Sequence, residues 1–234
     1  MGKGHEMRWG GLAGLGAVVL AIAGRLVLGS GPPVTDSGST IAVFLSDHRD
    51  QILIGAVFFT GAVALLLWFG AALATAFRRA DPDSDAPAVV LAGYAVVCAI
   101  GFLAMSMLAG FTYAMSTHRE LLTLAAGPYT ALTVAGTLAG IAVALPLGAS
   151  AVAIARTRVF PMWMAWLAGL AALAKVVAAG AIPSPEGVLT PGSTLASYVP
   201  SVLGGLWILA ASWLLIREHL PVVSAPTTHA VGHA

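Results

Sequence analysis

Six apolar runs, none holding an aspartate or a glutamate, leave this chain one medium in which to fold. They fall at about 9–29, 52–77, 88–115, 129–154, 161–182 and 199–216. Each has about the 20 residues that carry a helix across a ~30 Å hydrocarbon core. Charged residues make up only 9% of the chain, against about a quarter in soluble domains, so it lacks the polar surface that water would demand. The expected fold is all-α: a polytopic membrane protein, a six-transmembrane-helix bundle, with residues 1–220 as a single transmembrane domain and 221–234 as a disordered tail.

The breaks between runs are polar and rich in turn residues. Gly31-Pro32-Pro33 ends the first, Arg78-Arg79-Ala80-Asp81-Pro82-Asp83 divides the second from the third, and Gly127-Pro128 precedes the fourth. Arg156-Thr157-Arg158 leads to Pro161 at the start of the fifth, Pro183-Ser184-Pro185 closes it, and Arg217-Glu218-His219 ends the sixth. With the N-terminus inside, the inner segments carry Lys3, Arg8, Arg78, Arg79, Arg156, Arg158 and Arg217, against Arg49 and Arg119 outside. Cytoplasmic loops hold the excess of lysine and arginine, so both ends are expected in the cytoplasm. Lys3, Arg8 and Ala21-Ile22-Ala23 resemble a secretory signal, but the apolar run continues to Leu28, which favours an uncleaved first helix. Glu6 stands where a myristoylation signal needs Ser or Thr. Trp163, Trp166 and Tyr129 stand where aromatic anchors meet the headgroups.

Outside the membrane there is no room for a soluble domain. In the loop at about 30–51, Asp36, Ser37 or Ser39 can cap a short interfacial helix starting near Thr40, with Ile41, Phe44 and Leu45 on its apolar side. Gly10-x3-Gly14 and Gly136-x3-Gly140 predict close helix approach, chiefly within the bundle. Pro146 removes a donor from the fourth run and is expected to free the carbonyl of Ala142 and kink the helix. Cys98, the sole cysteine, reads as a small buried residue, and Met105, Met107 and Met115 as soft filling of the third helix.

Ionisable groups inside a membrane are candidates for function because they are costly there, and only Arg25 and Lys175 qualify. Arg25 lies near an outer edge within reach of the headgroups; Lys175 lies deeper. Each either snorkels or lines an outward-facing polar pocket, with partners among Asp47, Asp50, Glu120 and Glu186 or an anionic ligand. Every acid and histidine falls in a loop, tail or span end, which disfavours a retinal Schiff base with its counter-ion and a proton-coupled carrier. His48 and His118 share the outer side with Asp47, Asp50, Glu120 and Met115, a set able to hold a metal or a haem edge, although solvated loop residues explain them as well. No serine-nucleophile, zinc-protease, Walker or dinucleotide motif occurs, and no internal repeat points to an inverted-repeat transporter.

The stretch Val159-Phe160-Pro161-Met162-Trp163-Met164-Ala165-Trp166-Leu167-Ala168-Gly169 resembles the F-P-x-W-x-x-W signature that opens the fifth helix in a family of actinobacterial six-helix membrane proteins of unknown function. Relatives often carry Arg or Lys where Met162 stands. The resemblance covers about 9–216, implies a bacterial cytoplasmic membrane, and transfers no activity. The leading expectation is therefore a non-enzymatic accessory, sensing or ligand-binding component with an outer pocket bounded by Arg25, Lys175, Asp47, Asp50 and Glu120. A small-molecule permease and a haem or metal redox protein using His48 and His118 stand as alternatives. No cofactor is predicted. The bilayer is the required partner, a membrane-protein partner or second copy is left open, and no nucleic-acid partner is expected.

Overall fold

With no water in hydrocarbon to take backbone N–H and C=O groups, an apolar run must satisfy them within itself, and a helix does so. The computed structural model describes residues 3–29, 31–118, 124–180 and 194–217. Among them are helices α1 (Lys3–Leu28), α2 (Gly38–Asp47), α3 (Arg49–Ala80), α4 (Ala86–Thr117), α5 (Ala126–Thr157), α6 (Met162–Gly180) and α7 (Thr194–Ile216), and no strand. All but α2 contain a stretch long and apolar enough to cross a membrane. The chain is a multi-pass membrane protein built as a six-helix bundle. Several helices overrun their apolar runs, because backbone hydrogen bonding continues after the side chains turn polar; α3 covers Arg49–Ala80 where hydropathy marks 52–77. The tail at 221–234 lies outside the described residues, as do Glu120 and Glu186.

The spanning helices close into a ring in chain order. α3 packs on α1, each later helix packs on its predecessor, and α7 returns to α1. Neighbours run antiparallel: Gly10 meets Ala72 while Gly24 meets the Gly55 backbone, and Gly70 meets Tyr94 while Gly101 meets Val63. The inner end is the one where α1 begins and α7 ends; it carries Arg8, Arg78, Arg79, Arg156, Arg158 and Arg217. Its two tight turns join α3 to α4 and α5 to α6. The second is made by Arg158, whose left-handed φ of 55° ends α5 while its N–H bonds Ile154 O at 2.9 Å.

Small residues draw these helices together, as lipid-embedded interfaces require when lipid is as apolar as the side chains. Gly10, Gly11 and Gly14 seat α1 on Ala72 and Phe69 of α3 and on Ser212 and Ile216 of α7, so the first glycine pair works within the bundle. The second pair divides: Gly140 lies against α6, whereas Gly136 has open space beside it. α5 continues as helix through Pro146. The Pro146 ring sits on Gly93, where an added Cβ would be 2.8 Å from proline Cδ.

Two cores fill the ring unequally. The inner half is packed by all six spans around Phe69, which meets Tyr94 and Trp207 edge-on at 5.8 and 6.2 Å. The outer core joins Ile41 and Leu45 of α2 to Ile52, Leu108 and Met115, with Leu28 and Tyr129 at its edge, and receives no described side chain from α6 or α7. α2 is thus a short outer helix whose apolar side docks on α4 and α5. Its cap is Ser37, which accepts from Thr40 N at 3.2 Å. Tyr129 is more than an interfacial ring: its hydroxyl donates to Pro32 O at 3.0 Å and ties down the preceding loop. Cys98 is buried, its Sγ 3.4 Å from Val63 O. Around the bundle Trp9, Trp68, Trp163, Trp166 and Trp213 are exposed, and Trp207 is buried.

Candidate functional site

On α6 the buried residues Met164, Ala168 and Ala171 recur at helical spacing, and Lys175 continues the same line toward the outer end. Lys175 therefore projects toward the bundle, not the surrounding lipid. Gly140 of α5 makes room for it: a Cβ there would lie 3.2 Å from Lys175 O and 3.7 Å from its Cδ. The Lys175 ammonium ends 3.5 Å from Ser201 Oγ on α7.

Arg25 reaches α7 from the other side. On α1 it falls in line with Met7, Gly11 and Gly14, the seam that packs on α7 lower down. Its guanidinium bonds the Gly29 carbonyl and donates to Tyr198 Oη at 2.6 Å, and its Cζ lies 5.2 Å from the Tyr198 ring centroid. Tyr198 and Ser201 are one turn apart on α7, so the two intramembrane cations converge on one short stretch of that helix.

The space beside them is open on its α5 side. Gly136 lies one turn outward from Gly140 on the stripe that continues inward to the buried Leu147 and Ile154, yet it is exposed with nothing within 4 Å of an added Cβ. Below it, the aromatic group around Phe69 closes the ring.

The other predicted residues lie elsewhere. Asp50 pairs with Arg49 at 3.2 Å, and the Arg49 guanidinium sits 4.8 Å from the Tyr113 ring centroid, at the α2–α3 corner. Asp47 is exposed at the end of α2. Among the described residues no ion pair joins either aspartate to Arg25 or Lys175. The His48 ring stacks on Phe44 at 4.5 Å and its Nδ1 is 3.1 Å from Phe44 O, so it is occupied within its own turn. His118 ends α4 and is exposed. No group of three or more His, Cys, Asp or Glu able to hold a metal occurs among the described residues. Tyr198 and Ser201 were not distinguishable in sequence from ordinary span residues; the one signal was Lys175 in register with the small-residue stripe of α6.

No family model, curated protein or solved structure matches the chain. Its role rests on this geometry alone. Two cations, a phenol and a hydroxyl at the outer end of a membrane bundle suit retention of an anion.

Proposed function

We propose that this membrane protein binds a small anionic group at its outer end, between Lys175 and Arg25, and acts as a ligand-binding or sensing component without catalysis. The carrying observation is Lys175 itself: an ammonium on the inward stripe of a span, with a long contact to Ser201 and, among the described residues, no ion pair to a carboxylate. A lysine at the centre of a span costs about 3 kcal/mol on insertion scales and one nearer an end costs less, and an anion is a natural means of offsetting what remains. The clustering of arginine at the other end supports a cytoplasmic location for that end, with the site facing outward. The resemblance at 159–169 bears on topology alone. The packed group around Phe69 disfavours the permease, and the engaged ring of His48 disfavours the redox centre.

The test is a thermal-unfolding titration of the purified protein with phosphate, sulfate and acetate, since a ligand bound only by the folded state raises its unfolding temperature. Stabilisation by at least one anion is expected in the wild type, and its loss in Lys175→Met with the ligand-free midpoint equal or higher. A Lys175→Met protein that responds as the wild type does overturns the proposal.

A further inference from the structure

The opposite end of the molecule holds a groove that the outer site does not use. It opens between the start of α4 and the end of α5, has a volume of about 370 Å³, and is lined by Asp83, Ser84, Asp85, Val89, Val152 and Arg156 among others. Its chemistry is divided by depth. The polar mouth is formed by the turn before α4 and by Arg156 in the last turn of α5, and the wall running into the bundle is valine and alanine. Val89 and Val152 remain 37% and 49% exposed, so the wall is open to whatever lies between these helices from the side.

The charges around the mouth are held apart. Arg156, Asp83 and Asp85 are exposed, and among the described residues no ion pair or hydrogen bond links the arginine to either carboxylate. Nor is Asp85 consumed as a helix cap: it stands at the N-cap of α4 with no side-chain bond to the helix, and Ser84 Oγ accepts from Ala86 N instead, at 3.2 Å. One guanidinium and two carboxylates thus border a common gap that none of them fills.

The depth of the groove adds a second constraint. The turn after α5 leads directly to Trp163 and Trp166, both exposed near the start of α6, and exposed tryptophans favour the headgroup layer. A ligand entering from the side at that level brings a headgroup to the mouth and an acyl chain along the wall.

We infer that this groove binds a phospholipid with a primary ammonium headgroup, of the phosphatidylethanolamine class, its phosphate on Arg156 and its ammonium on Asp83 and Asp85. Guanidinium and phosphate match as a forked pair. An ammonium carries three N–H donors, enough to serve both carboxylates, whereas the quaternary nitrogen of phosphatidylcholine carries none. Phosphatidylglycerol satisfies Arg156 but brings no cation to the aspartates. The charge count of the mouth, one positive and two negative, favours the zwitterion over the anion.

Native mass spectrometry of the full chain in detergent, with phosphatidylethanolamine, phosphatidylcholine and phosphatidylglycerol of matched acyl chains, tests this. The wild type is expected to retain the ethanolamine lipid about tenfold over both others, the scale of one charge-assisted contact. Arg156→Gln, which removes the phosphate contact common to all three, is expected to lower the retention of each and to leave the ethanolamine lipid ahead of the choline lipid. Asp83→Asn with Asp85→Asn moves the preference to phosphatidylglycerol, a gain that misfolding does not produce. Equal retention of the three lipids by the wild type, first place for phosphatidylglycerol, undiminished retention in Arg156→Gln, or an unchanged ranking in the aspartate variant overturns the inference.

Discussion

A lysine ammonium on the inward stripe of a membrane helix keeps its charge only where water or an anion reaches it. Lys175 is legible in the sequence for that reason, as is Arg25: hydropathy alone isolates them within the spans. Their meeting on Tyr198 and Ser201 was not legible, because it depends on α7 lying between α1 and α6, and no local pattern records which helices close a ring. The glycines divide in the same way. The spacing of Gly10 and Gly14 announces close approach, but Gly70 shows no such spacing, and a Cβ there would lie 2.6 Å from Tyr94 Cβ and Cγ. Those atoms belong to the stem of a buried ring beside Phe69 and have little freedom to retreat. Gly70→Ala is expected to cost about 1–3 kcal/mol through overpacking, read as a lower unfolding midpoint in detergent. Gly148 has nothing within 4 Å, so Gly148→Ala serves as the control and is expected to be neutral or to gain up to about 1 kcal/mol of helix stability.

At the scale of elements the sequence is most informative where lipid does the selecting. All six spans were predicted because each must satisfy its own backbone in hydrocarbon, and their ends were missed by a few residues because that demand fades gradually in the headgroup layer. α2 is different. Its start follows from Ser37 and its apolar side from Ile41 and Leu45, but its docking on α4 and α5 needed the fold. Ten residues make a marginal helix in isolation, so the cap and the docked side chains hold it together. Ser37→Ala is expected to weaken it by about 1 kcal/mol, seen as faster hydrogen exchange over Gly38–Asp47 with α3 unchanged.

For the whole molecule, the unequal filling of the ring makes a directional prediction. Single cysteines introduced into a Cys98→Ser background should separate the two halves. A membrane-impermeant thiol reagent added outside is expected to label Gly136→Cys and to leave Leu147→Cys unmodified, because the first position is open and the second is buried in the inner core. Labelling of both would mean that water passes the ring of Phe69, Tyr94 and Trp207. The tryptophans carry a consequence of another kind. Trp9, Trp163, Trp166 and Trp213 belong to the inner turns of their helices and are exposed, Trp68 is exposed partway along α3, and Trp207 is shut inside. The ultraviolet emission of this protein is therefore weighted toward a single leaflet, and its colour reports the hydration of that monolayer rather than the state of the opposite one.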